Sequence, residues 1–309
     1  MILKDALPDV WGDSWRNTEP GHSLRVPEGS TSNLVLCNPD DTPMFMLGHL
    51  KNCMIVDDCP KLDITIEPGA HLSLYRLQGM NTPSLHLTEL NLTMLEGSNA
   101  ELFTITLGGA HVRNNIYVRM KGEHCTLQAD GLYLIDREQQ CDNYIFVEHA
   151  RPRCHSRELY KGIVDDAARA RFNGHVLVQD GAVKTEAYQT NRNILLTDKA
   201  HVDTRPFLEI YNDDVKCSHG STIGQLDDQA LFYLMTRGIG RKTAVTMLSY
   251  AFCDEVISRI AIPALRDAVS DTVKKRLHGE LTPCADCALQ CTSPCNGPEA
   301  NFNIDPSKL

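Results

Sequence analysis

Between Leu34 and Val215 apolar and polar residues alternate in short runs. Leu62-Asp63-Ile64-Thr65-Ile66, His71-Leu72-Ser73-Leu74 and Ile116-Tyr117-Val118-Arg119-Met120 each send every second side chain to one face, the period of a half-buried strand. Turn signals of similar wording separate them: Pro68-Gly69-Ala70-His71, Gly108-Gly109-Ala110-His111, Asp180-Gly181-Ala182 and Asp198-Lys199-Ala200-His201. Strand, corner and strand repeated without helices fits a solenoid whose turns stack on one another. A β-sandwich alternates in the same way, and the pattern alone leaves both open.

After Gly224 the period lengthens. Asp227 or Asp228 can cap a helix with Leu231, Leu234 and Met235 at three- and four-residue spacing, stopped at Gly238. A second helix is expected from about Arg241 to Ile260, with Val245, Leu248, Phe252 and Val256 on one stripe. Pro263 ends or redirects it, and Ala264 to Leu277 forms a weaker helix closed by Lys274, Lys275 and Arg276. Covering the last turn of the stack is the simplest task for such helices. The stretch from Gly279 onward is polar and carries no period.

The composition narrows the function. A hydrophobic content of 42% in 309 residues describes a globular chain with a substantial core. The formal charge of −10, from 40 acids against 30 bases without a compensating basic block, argues against nucleic-acid and membrane-surface roles. Met1-Ile2-Leu3-Lys4-Asp5 lacks the layout of a signal peptide, and no apolar window is long enough to span a bilayer. A reducing cytoplasm is the expected setting, where twelve cysteines point to metal or redox chemistry rather than disulfides. Gly220-Ser221-Thr222-Ile223-Gly224 lacks the lysine of a phosphate loop, and no Gly-x-Ser-x-Gly elbow occurs, so neither nucleotide hydrolysis nor acyl transfer is expected of this chain.

Two cysteine groups carry candidate chemistry. Cys217 and His219 are two positions apart, so on a strand they share a face while Ser218 points away. The ordinary reading of such a pair is a core cysteine beside a hydrogen-bonded histidine. Thiolate and imidazole together also suit iron, zinc or sulfane sulfur, although two ligands do not close a site. Cys284, Cys287, Cys291 and Cys295 place four thiols within the tail, enough for a zinc or Fe–S site. Their spacing departs from both the ferredoxin run and the zinc ribbon. His71, His86, His111, His124 and His201 lie among strand starts and receive no ligand role.

From Ser156 to Ile257 the sequence resembles the SufB/SufD family of iron–sulfur assembly scaffolds, SufD in particular. The likeness rests on Ser156-Arg157-Glu158-Leu159-Tyr160-Lys161-Gly162, Gln189-Thr190-Asn191-Arg192-Asn193-Ile194-Leu195-Leu196, Val202-Asp203-Thr204-Arg205-Pro206 and Leu208-Glu209-Ile210-Tyr211 before the Cys217–His219 run. Leu231-Phe232-Tyr233-Leu234 and Arg237-Gly238-Ile239 continue it. The resemblance implies a right-handed parallel β-helix, with an irregular opening segment over 1–30, the β-helix core over 31–224, C-terminal helices over 225–278 and a cysteine-bearing tail over 279–309. It also implies a non-enzymatic scaffold subunit that presents His219 and Cys217 to a SufB-type paralogue or a self-copy, where a nascent, transient iron–sulfur cluster is built. The C-terminal helices would bind a SufC-type ABC ATPase whose motion drives the process. The tail cysteines are not inherited from the family.

Two other classes stand beside this reading. A metal or Fe–S binding protein acting alone would use the tail cysteines. A β-solenoid carbohydrate-active enzyme would need carboxylates paired across the repeat, and none are aligned.

Overall fold

The computed structural model describes residues 15–18, 21–37, 54–79 and 85–279. Two eight-stranded sheets face each other. The first runs in the order β1 (Trp15–Thr18), β2 (Gly21–Val26), β5 (Lys61–Ile66), β7 (Leu85–Met94), β9 (His111–Met120), β11 (Gln140–His149), β13 (Arg169–Val178), β15 (His201–Ile210). The second runs β4 (Met54–Asp57), β3 (Thr31–Cys37), β6 (His71–Gln78), β8 (Asn99–Thr106), β10 (Thr126–Ile135), β12 (His155–Val164), β14 (Glu186–Leu195), β16 (Lys216–Gly224). From β5 onward, strands alternate between the sheets and pair in parallel with the strand one turn later, so Thr126 meets His155 and Gln140 meets Arg169. This is a β-solenoid, and the sandwich alternative falls. Only β1 and β2 pair antiparallel among the described strands. The opening stretch expected to be irregular thus supplies two strands, because Leu24 and Val26 reach the core.

One corner explains why the turn text repeats. Gly29, Gly69, Gly97, His124, Arg153 and Lys184 all take a left-handed conformation, with φ from 56° to 65°. Each lends its amide to the carbonyl of the next turn, as Gly69 does to Glu96 and Arg153 to Val183. Glycine meets that demand at no steric cost in the first three turns. The later turns hold side chains there, at a cost of roughly 1–2 kcal/mol each.

Two apolar layers hold the stack. Inside, alternate residues such as Leu34, Leu74, Leu102, Ile116 and Phe172 form a continuous core. Outside the second sheet, Val35, Tyr75, Phe103, Leu132, Leu159 and Ile163 form another with helical side chains. That second layer is why the strands of this sheet are buried on both faces.

The helices are α1 (Asp228–Thr236), α2 (Arg241–Ile257) and α3 (Pro263–His278). Asp227 caps α1 through the amides of Gln229 and Ala230, and left-handed Gly238 follows its end. Pro263 opens α3, and left-handed Gly279 closes it. The buried face of α2 is Ala244, Ser249, Cys253, Val256 and Ile257 rather than the expected stripe, in which only Val256 is fully buried. The reason is placement. These helices do not cover the last turn but lie along the outer face of the second sheet, with α2 against β10 and β12. Ile260, Leu265, Val269 and Val273 complete the contact, each contributing about 1.5–3 kcal/mol by burial.

Charges pin the helices there. Arg259 Nη1 reaches the buried Asp130 Oδ1 at 2.8 Å, Lys161 Nζ reaches Glu255 Oε2 at 2.7 Å, and Arg276 Nη1 reaches Asp136 Oδ2 at 2.8 Å. Burial raises the Asp130 carboxyl, and Arg259 opposes it. None of the described helices is long and apolar enough to cross a membrane.

Candidate functional site

Both sheets stop at the same end. β15 pairs only with β13 and β16 only with β14, so among the described residues each leaves one strand edge open. The surface there is apolar: Phe207, Ile210, Tyr211 and Ile223 are all more than two-fifths exposed. An end with unpaired backbone groups beside large apolar side chains is a template for another chain.

Cys217 and His219 lie on β16 at this end, in register with Ala187 and Gln189 of β14. Those partners are interior residues, so the thiol and imidazole continue interior columns of the solenoid out to its mouth. Ser218 is in register with the outward Tyr188, as the two-residue period requires. Thr204, Pro206 and Leu208 occupy the corresponding inner positions of β15, in register with Phe172, Gly174 and Val176. His219 is exposed, whereas Cys217 is half-buried against the cluster of Val176, Val178, Ala182 and Ala187. Burial pushes the Cys217 thiol above its ordinary range, and a hydrogen bond from the Ala187 backbone partly offsets this.

The floor of the mouth is polar, which the strand pattern does not foretell. One inner column reads Leu34, Leu74, Leu102 and Ala129, then Glu158, Gln189 and His219. Glu158 Oε2 accepts from Gln189 Nε2 at 2.7 Å. The second oxygens, Glu158 Oε1 and Gln189 Oε1, are buried without a partner, each an omission worth about 1–3 kcal/mol. Burial pushes the Glu158 carboxyl up to about 8, and the Gln189 bond pulls the other way. Beside them, Tyr133 donates to Asn193 Oδ1, and Asn193 donates to Asn191 Oδ1 at 2.7 Å. Asn193 also reaches the Thr222 carbonyl of β16 at 3.4 Å, tying the terminal strand to the interior.

Glu158 and Gln189 fall within runs that carry the family resemblance, but reading along the chain gives them no role. Each is one rung from the next, so only the register of a solenoid turn aligns them with His219. Asp203 and Arg205 form an ion pair at 2.8 Å, with Arg171 also near Asp203, all on the outer face of the first sheet. His111 pairs with Asp142, His71 with Ser73, and His124 serves the corner. Among the described residues no three His, Cys, Asp or Glu side chains gather at metal distance. Cys284, Cys287, Cys291 and Cys295 lie outside the described residues.

Residues 59–252 match the family described as SUF system FeS cluster assembly, SufBD core domain. The chain is 39% identical over 281 residues to the iron–sulfur cluster assembly protein SufD of Escherichia coli, covering 90% of this chain and 64% of that protein. It is 33% identical to an iron–sulfur cluster assembly SufBD family protein of Mycobacterium leprae, over 79% of this chain and 68% of the relative. A SufBD family protein of Synechocystis is 32% identical over 69% of this chain and 47% of its own length. The chain thus spans from about half to two thirds of the length of these relatives, and the strands that build the mouth lie inside the matched region. It belongs to the SufBD family of iron–sulfur cluster assembly proteins.

Proposed function

We propose that the open end of the solenoid is where a nascent iron–sulfur cluster is assembled between this chain and a second polypeptide, a SufB-type paralogue or another copy of itself. The observation that carries the reading is the coincidence of ligands and edges. Cys217 and His219 occupy inner positions of a strand whose outer edge has no partner among the described residues. Two soft or borderline donors are too few for a tetrahedral iron, and a docked chain can complete the set. Iron and sulfide are cargo here, and the chain's part is to hold and orient ligands rather than to make or break bonds. The raised Cys217 thiol keeps its proton until a metal ion or a neighbouring positive charge displaces it.

The helices fit a second docking role. α2 and α3 are committed to the second sheet, while α1 leaves Phe232, Tyr233 and Met235 exposed. An apolar helix face of this kind suits the SufC-type ATPase expected from the family resemblance. Movement imposed there would pass through α2 and the Lys161–Glu255 and Arg259–Asp130 contacts to β12 and β10. From β12 it is two strands to β16.

The test is an anaerobic preparation of the assembled complex carrying His219→Ala. The expected result is an intact complex and a normal far-UV spectrum, with iron and sulfide content near background. Wild-type iron and sulfide on that variant would refute the assignment.

A further inference from the structure

The column that ends on His219 changes character abruptly. It is aliphatic through Leu34, Leu74, Leu102 and Ala129, and then reads acid, amide and imidazole. Packing does not ask for this, since burying polar groups is costly where apolar ones would fill the space. Glu158 and Gln189 are nevertheless almost fully enclosed, at 1% and 2% exposure.

The amide of Gln189 is held from two sides. Its nitrogen donates to Glu158 Oε2 at 2.7 Å. Across the interior it rests on the backbone of β13 at Gly174, where a Cβ would stand 2.1 Å from Nε2. Any larger residue at 174 displaces the amide. With the nitrogen committed to Glu158, the acceptor oxygen is left over, and it is buried without a donor. The adjacent position in the column belongs to His219, which is exposed on the terminal strand.

We propose that Gln189 is a positioning residue for His219: its Oε1 accepts the hydrogen of one imidazole nitrogen, which leaves the lone pair of the other nitrogen aimed out of the mouth. This deepens the reading of His219 as a cluster ligand and rests on it. A histidine binds metal through one neutral nitrogen, and the bond made by the other nitrogen selects the tautomer and the ring angle. Glu158 acts one step further back, holding the amide the right way round. Gly174 keeps the seat open.

The experiment uses the full chain with histidine-selective 15N labelling at about pH 8.5, where imidazole is neutral. Long-range 15N–1H correlations distinguish the two ring nitrogens, and His219→Ala identifies the His219 signals. The wild type is expected to show one dominant His219 tautomer. Gln189→Met, close in shape and lacking the acceptor, should give a mixture. Gly174→Ala should do the same by displacing the amide, providing an independent route if the first variant folds poorly. Glu158→Gln should keep the wild-type pattern, since a carboxamide oxygen still accepts from Gln189. The same tautomer distribution in wild type, Gln189→Met and Gly174→Ala would overturn the proposal, as would loss of the dominant tautomer in Glu158→Gln. Because this readout needs no cluster, it stays separate from the assembly test: normal loading by His219→Ala would refute the ligand role without altering the tautomer measurement.

Discussion

Replacing Glu158 with glutamine should change how stability depends on pH. Glu158 is enclosed, and its carboxyl is raised from 4.5 to about 8. Between those values the folded chain holds a proton that the unfolded chain has released. Stability from this group is therefore fully present below pH 4.5 and is lost as pH rises through 8, at roughly 1.4 kcal/mol per pH unit. A second buried group runs the other way. His149, hydrogen-bonded to Ser156 Oγ at 2.9 Å, is lowered from 6.5 to about 3 by burial and by the nearby His155. Its contribution is present above 6.5 and is lost as pH falls toward 3. From pH 4.5 to 6.5 the contributions of these two groups cancel, and between 6.5 and 8 the Glu158 contribution alone falls by about 2 kcal/mol. Glu158→Gln keeps the shape and removes the titration. Relative to wild type it should gain about 2 kcal/mol between pH 6.5 and 8, and below 6.5 it should show the His149 slope unbalanced. Urea denaturation followed by far-UV circular dichroism, at half-unit steps from pH 4.5 to 8.5, gives both curves. Their difference cancels every other titrating group. Parallel curves between pH 6.5 and 8 would show that Glu158 ionises freely in the folded chain, and the reasoning would fail.

Two further outcomes follow from the helical layer. Arg259→Ala leaves Asp130 as an uncompensated buried carboxylate and should cost about 3–5 kcal/mol. Adding Asp130→Asn should recover much of that loss, and native-state hydrogen exchange on α2 and α3 reports both. Phe232→Ala with Tyr233→Ala removes exposed side chains and should leave stability within about 0.5 kcal/mol. On the proposed docking, the same pair should lose co-purification with a SufC-type ATPase while retaining a chain docked at the mouth; unchanged recovery of the ATPase would move its docking site away from α1.

The sequence made some of this legible because local rules and tertiary placement agreed. Two-residue alternation fixed the strands, and the Asp227 cap and Gly238 stop bounded α1 as expected. Cys217 and His219 shared a face because nothing interrupts β16 between them. Other features depend on register and were not legible. The buried face of α2 departs from the apolar stripe because Ala244, Ser249 and Cys253, small residues with little hydrophobic signal, approach the second sheet, whereas Val245 and Leu248 remain partly exposed. Helices expected over the final turn lie instead along β10 and β12, and the clue was the second apolar set of those strands. Leu132, Leu134, Leu159 and Ile163 alternate against the interior residues and demand a cover of their own. Glu158 and Gln189 needed the length of each turn to be known, and the corner in which glycine gives way to His124, Arg153 and Lys184 hides that repeat.

The two free edges are not equivalent. Pro206 sits in the middle of β15 and supplies no amide hydrogen, so a strand added there meets a gap in its ladder. β16 has no proline, and its side chains are small at Gly220, Ser221 and Gly224. Adhesion is thereby channelled to the border that carries the thiol and the imidazole. On the proposed docking, a copy made in surplus leaves the same border bare, so matched synthesis of the two docking chains would protect solubility as well as output.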